Sequence, residues 1–69
     1  MDQDRQQAVM GLMRNRLRCT PYSVTLEERA GVWTASVLKE GRTLQAWTNA
    51  DWLQAVFRAF GFATLMAKP

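Results

Sequence analysis

The sequence predicts an α+β fold in which a helix, a three-stranded antiparallel meander and a second helix follow one another (αβββα). Apolar residues recur at helical spacing near both ends of the chain, and three segments between them alternate apolar with polar residues. Short glycine-containing turns separate these three segments, which favours strands that pair with their neighbours in the sequence. The economical packing of this order lays both helices on one face of the sheet.

The length of 69 residues leaves room for one domain, residues 1–69, with one small core. A chain this short buries only roughly 60% of the surface that it exposes when unfolded. Its single cysteine, Cys19, excludes an internal disulfide, and without histidine it lacks the usual zinc ligands. We therefore expect no metal and no cofactor. Two sources of stability remain open, namely oligomerisation or a bound partner on one side and an efficient single core on the other.

The first helix is predicted over residues 2–18. Four apolar residues share one of its faces: Val9, Leu12, Met13 and Leu17. Arg16 falls in the same sector, where it either extends to the rim or marks a stripe that faces a partner. Pro21 ends the helix before Thr20, because a residue that precedes proline avoids the α region.

The three strands are predicted at residues 22–28, 32–38 and 43–47, with tight turns at Gly31 and at Glu40-Gly41. Their alternation points Leu44 and Ala46 toward the helices and places three large side chains on the far face: Val32, Leu38 and Trp47. An apolar patch with a polar rim is typical of a contact site. A one-residue register slip or a bulge in the third strand would instead turn Trp47 inward.

The second helix follows the third strand with almost no loop. Thr48 and Asp51 form a capping pattern before an apolar run whose members share one face: Leu53, Val56, Phe57 and Phe60. Gly61 is expected to end this helix in the left-handed conformation. Residues 62–66 would then form a short edge strand or an ordered tail.

The titratable residues do not form a catalytic set. Histidine, the commonest general base, is absent, and Cys19 has no partner base in the sequence, so we expect it to be a packing residue. Glu27 and Glu28 point to opposite faces of a strand and cannot act as a carboxylate pair. We predict that the protein is not an enzyme.

The charge and the opening residues bear on partners and location. Nine basic and six acidic residues give a net charge of +3, which permits an acidic partner without requiring one. The chain opens with Met-Asp-Gln-Asp and contains no long apolar stretch, so we expect neither a signal peptide nor a membrane span and place the protein in the cytoplasm.

Three binding functions fit these residues. In the first, a protein partner contacts Trp47, Leu38 and Val32, and the rim of that site consists of the turn residues Arg29, Lys39 and Arg42. In the second, Arg14 and Arg18 contact the phosphates of a nucleic acid, and the same turn residues add to that contact. In the third, the exposed sheet face closes a homodimer.

The αβββα order is similar to that of the double-stranded-RNA-binding domain and of a small toxin family with the same fold. The RNA-binding family has a lysine-rich start to its second helix, whereas this chain has Asn49, Ala50, Asp51 and Trp52 there. The toxin family uses a strand histidine, which this chain lacks. The resemblance therefore implies the fold and neither activity.

Residues 22–60 also resemble one of the small phage-encoded anti-CRISPR inhibitors. The matching elements are the strands at 22–28, 32–38 and 43–47, followed by the capped helix start at residues 48–53 with its aromatic Trp52. This resemblance implies a compact, non-enzymatic inhibitor that works by occupying a surface of another complex.

Overall fold

The αβββα order predicted from the sequence is confirmed. A computed structural model describes residues 2–68, and its elements are α1 (Asp2–Arg16), β1 (Tyr22–Arg29), β2 (Val32–Lys39), β3 (Arg42–Asn49) and α2 (Trp52–Ala67). The strands form an antiparallel sheet in the order β1-β2-β3. Among the described residues, no helix is both long enough and apolar enough to cross a bilayer.

Both hairpins turn through two residues with positive φ. Ala30 and Gly31 have φ of 54° and 79°, and Glu40 and Gly41 have φ of 53° and 84°. Positive φ at both central residues is the geometry of a type I′ turn, whose twist matches that of the flanking strands. The turns predicted at Gly31 and at Glu40-Gly41 are therefore confirmed.

The core lies between one face of the sheet and the two helices. α2 crosses all three strands, whereas α1 lies mainly against β1. The buried residues are Met13 and Leu17 of α1, Ala35 and Val37 of β2, and Trp52, Ala55, Val56, Ala59 and Ala63 of α2. Val37 and Val56 are the largest side chains that are completely buried, and the larger Met13, Leu17 and Trp52 each keep a small exposed fraction.

The ends of both helices differ from the prediction. α1 ends at Arg16 rather than at residue 18, because Thr20 turns the chain by donating both its backbone N–H and its hydroxyl to the Leu17 carbonyl. α2 continues through Gly61 to Ala67, so residues 62–66 are helical and form neither an edge strand nor a tail. A glycine inside a helix costs about 1 kcal/mol relative to alanine. The burial of Ala63, one half-turn further on, offsets that cost.

The start of α2 also differs in detail. Asp51, rather than Thr48, is the N-cap, and its side chain accepts a hydrogen bond from the Leu53 N–H at 3.0 Å. The Asn49 side chain accepts the Asp51 N–H at 2.8 Å, which fixes the approach to the cap. With this start, Phe57 faces solvent and Ala55 faces the sheet, opposite to the prediction for both residues. Small side chains toward the sheet let the helix lie close to it.

A bulge in β3 reverses the predicted facing of that strand. Val37 pairs with Gln45, but Leu38 pairs with Thr43, so Leu44 is an extra residue in β3. Beyond the bulge the alternation is shifted by one position, and Trp47 pairs with the buried Ala35 on the helix side. Leu44 and Ala46 are exposed. The prediction that Trp47 faces away from the helices is wrong. β3 contains the bulge that was the alternative to that prediction.

Candidate protein-binding surface

Trp47, the predicted anchor of a contact site, is half-buried between the sheet and α2. Its ring lies 5.3 Å from the Phe62 ring, centroid to centroid, with the planes tilted by 59°. This separation is within the range of favourable aromatic pairs. Trp47 therefore contributes to packing against α2 and leaves the outer face of the sheet without an aromatic side chain.

The other residues predicted for this site do not form one patch. Val32 and Arg29 pair beside the first hairpin turn, whereas Leu38 lies at the opposite end of β2. At about 3.4 Å per residue, Val32 and Leu38 are roughly 20 Å apart. Lys39 and Arg42 pair beside the second turn, near Leu38, and the Lys39 Nζ lies 5.7 Å from the centroid of the Tyr22 ring.

Hydroxyl groups occupy the centre of the outer sheet face. Thr34 pairs with Thr48, and Thr25 pairs with Ser36. Paired residues share a face, so these side chains lie between the two ends of β2. The outer face is polar at its centre, and its apolar residues are at its ends.

An apolar groove that the sequence did not predict lies between α1 and α2. It has a volume of about 370 Å³ and is lined by Val9, Leu12, Met13, Arg16, Phe57 and Phe60; we call it the helix groove. Leu12 is 65% exposed and Phe57 is 71% exposed. The groove exists because α1 lies against β1 while α2 crosses the sheet, so that the two helices are not in close contact.

The charges around the helix groove are basic. Arg16 lines it, and Arg5 lies on the same side of α1 because residues 5, 9, 12 and 16 share one helical face. An adjoining recess of about 390 Å³ shares Arg16 and Phe60 with the groove and adds Lys68. Among residues 3–68, no carboxylate lines either cavity. This arrangement suits an apolar segment with acidic flanks.

Arg14 and Arg18, the predicted phosphate contacts, line a different crevice between α1 and β1. Its larger part, about 420 Å³, is lined by Arg14 and Met10 of α1 and by residues Val24, Thr25 and Leu26 of β1. Its smaller part, about 200 Å³, shares Arg14 and Val24 and adds Arg18, Tyr22 and Ser23. We call the two parts together the edge groove. Both arginines are exposed there.

Cys19 is exposed in the loop between α1 and β1, so the prediction that it packs inside is wrong. Leu17 occupies the core position at this end of α1, and Thr20 is held by its hydrogen bonds to the Leu17 carbonyl. Cys19 lies between these two anchored residues and points away from the core.

The sequence contained one signal for the helix groove. Arg16 falls in the apolar sector of α1, and one of its two interpretations was a stripe that faces a partner. Its exposed position beside Leu12 and Phe57 fits both interpretations, so the stripe that faces a partner stays a prediction. Phe57 itself gave no signal, because its spacing from Leu53, Val56 and Phe60 also fits a buried face.

Comparison with known proteins gives no relative. No protein-family model matches the chain, and neither a curated protein nor a solved structure matches it.

Proposed function

We propose that this protein is a non-enzymatic, cytoplasmic binding protein that acts by occupying a surface of a protein partner. The resemblance of residues 22–60 to phage-encoded anti-CRISPR proteins suggests that it is an inhibitor carried by a phage or another mobile element. The observation that supports partner binding most strongly is the helix groove, where Phe57 and Leu12 are exposed side by side with Phe60.

The energetic reason lies in the exposed area of Phe57. A phenylalanine can bury roughly 150–250 Å², and this one leaves 71% of its surface in water. Covering about 100 Å² of apolar surface contributes about 2.5 kcal/mol at ~25 cal/mol per Å². Aromatic residues in a pocket with arginine nearby are typical of the few positions that dominate binding energy. Phe57 replaces Trp47 as the proposed anchor.

The test compares two substitutions on one helix. Leu65 is 70% exposed and thus matches Phe57, but it does not line the helix groove. Wild type, Phe57→Ser and Leu65→Ser are immobilised and exposed to a lysate of the native host, and the captured proteins are identified by mass spectrometry. We expect one protein to be captured by wild type and Leu65→Ser but not by Phe57→Ser. Equal capture by all three proteins would contradict the proposal.

The outer sheet face is a second proposed contact, with Val32 and Leu38 as its apolar residues and Arg29, Lys39 and Arg42 as its predicted rim, although Lys39 lies over the Tyr22 ring on the helix side. Val32 is 44% exposed and the three rim residues are exposed. Because Trp47 does not lie on this face, the face is less apolar than the helix groove. We therefore rank the outer sheet face below the helix groove as a contact site. A homodimer that forms through this same face also stays a prediction.

Nucleic-acid binding is the alternative function, and it is favoured by the exposure of Arg14 in α1 and of Arg18 just beyond that helix, in the same crevice. Fluorescence anisotropy with single- and double-stranded DNA and RNA, at low and physiological salt, tests this alternative. A phosphate-binding surface gives a steep loss of affinity with salt, and Arg14→Ala with Arg18→Ala makes that slope shallower. The absence of binding at low salt would exclude the alternative.

A further inference from the structure

The outer edge of β1 is unpaired. β1 is a terminal strand of the sheet, and β2 is its one neighbour among residues 2–68. Every second residue of an antiparallel edge strand turns its N–H and C=O away from its neighbour. Such an edge is a template for another extended chain.

The edge groove opens onto these backbone groups. Val24 and Leu26 face the helices and are half-buried, whereas Thr25 between them faces the other side of the sheet. All three line the same crevice. A cavity lined by three consecutive residues of β1 runs along that strand, and among residues 2–68 no further strand pairs with β1 on its outer side.

Charge is distributed unevenly along this edge. Arg14 and Arg18 lie beside the first half of β1, near Val24 and Tyr22. Glu27 and Glu28 occupy its second half and are exposed. Arg29 follows the two glutamates and offsets one of their charges, so the edge is positive at one end and weakly negative at the other.

We propose that the β1 edges of two copies of this chain pair antiparallel and join the two sheets into one six-stranded sheet. Antiparallel pairing places the first half of one β1 beside the second half of the other. If paired residues share a face, Glu28 of the second copy lies opposite Val24 or Tyr22, and hence beside Arg14 or Arg18. The twofold axis produces the same contact twice.

A second copy fits this edge better than a uniformly charged partner does. An acidic strand or a nucleic acid would be attracted by Arg14 and Arg18 but repelled by Glu27 and Glu28. A second β1 complements both ends of the edge. This dimer also leaves the helix groove of each copy free, because Leu12 and Phe57 lie on the other side of α1 from Arg14. The proposal is therefore independent of partner binding through Phe57.

The test uses complementary charge reversal. One variant carries Arg14→Glu and Arg18→Glu, and the other carries Glu27→Arg and Glu28→Arg. Each variant alone places like charges opposite each other, and we expect its dimer dissociation constant to rise by about 100-fold or more. Mixed together, the two variants have attractive pairs at both ends and should form a heterodimer. A control with Arg58→Glu, Gln54→Glu and Gln3→Glu has the same net charge as the first variant, but these three exposed positions lie away from the β1 edge.

Sedimentation equilibrium over a wide concentration range measures the association of each protein, with circular dichroism as the check on folding. The proposal is supported if wild type and the control dimerise, each reversed variant is monomeric and their mixture dimerises. It is overturned if wild type stays monomeric at every concentration. It is equally overturned if wild type dimerises and the reversed variants do so unchanged, since the dimer would then use another surface, such as the outer sheet face.

Discussion

Ala30 and Glu40 each begin a type I′ turn with positive φ, although neither is glycine. The left-handed region brings Cβ close to the following carbonyl oxygen and costs roughly 1–2 kcal/mol for an ordinary residue. Gly31 and Gly41 take the second turn position without this cost. Each hairpin therefore contains one residue that is well suited to its turn and one that is strained.

Ala30→Asn should raise the free energy of unfolding by about 0.5–1 kcal/mol, because Asn-Gly is a strongly preferred pair for this turn and asparagine tolerates the left-handed region. Urea denaturation followed by tryptophan fluorescence measures the change. Ala50→Asn is the matched control, since Ala50 is also an exposed loop alanine and is not among the residues with positive φ. The explanation would be contradicted if Ala30→Asn did not raise the free energy of unfolding, or if Ala50→Asn raised it equally.

Trp47→Ala should lower the free energy of unfolding by about 2 kcal/mol, less than the 3–5 kcal/mol typical of a fully buried aromatic residue. The reason is the loss of the contact with Phe62 and of the cover over Ala35. Trp47→Phe keeps an aromatic ring at this position and should lower the free energy of unfolding much less. A Trp47 on the far face of the sheet, as predicted from the sequence, would contribute little to stability, and an unchanged denaturation midpoint would support that placement.

At the scale of elements, α2 is held to the sheet by a ridge of alanines. Ala55, Ala59 and Ala63 recur every four residues and are completely buried. Their complete burial leaves little room for a larger side chain at these three positions. The three alanines fix the rotation of α2 about its own axis. This rotation turns Phe57 away from the sheet and toward the helix groove.

Ala59→Leu should destabilise the protein by about 1–3 kcal/mol, because extra methylenes in a packed contact force side chains or backbone to shift. The unfolding free energy from urea denaturation is the measurement. Gln54→Leu introduces the same side chain on the exposed side of α2 and should change stability by less than about 0.5 kcal/mol. If Ala59→Leu were neutral, α2 would lie further from the sheet than the structure places it.

The type and order of the elements could be predicted, but some of their ends could not. Apolar spacing and turn glycines identified all five elements, since these signals are local. Gly61 has a local preference to end a helix, and burial of Ala63 overrides it. The sequence around Leu44 contains no glycine or proline to mark the bulge, and the extra residue is visible only in the pairing with β2.

At the scale of the whole molecule, the predicted site depended on which residues of β3 face the helices and which face the other side of the sheet. The single extra residue at Leu44 moved Trp47 to the inner side of the sheet, and the predicted patch separated into two ends of β2. The helix groove depends on how α1 and α2 diverge over the sheet, which no spacing within either helix encodes. The sequence could therefore predict that the protein has a basic surface with exposed apolar groups but not where they meet.

Phe57→Ser should reduce the binding of a hydrophobic dye such as ANS to the native protein while leaving the unfolding free energy within about 0.5 kcal/mol of wild type. The physical reason is that Phe57 is 71% exposed and contributes apolar surface rather than core packing. Leu65→Ser is again the control and should affect dye binding less, because Leu65 lies outside the helix groove. A large loss of stability on Phe57→Ser would place this residue in the core.

The large apolar side chains that are exposed in the folded protein, such as Leu12, Phe57 and Leu65, also determine how the protein responds to heat. Much of their surface is in water before unfolding, and only newly exposed apolar surface raises the heat capacity. A chain of 69 residues ordinarily gains about 0.8–1.0 kcal/mol/K on unfolding, and this one should gain less. Its stability curve is then shallow, and its folded population changes only gradually between cold and warm conditions.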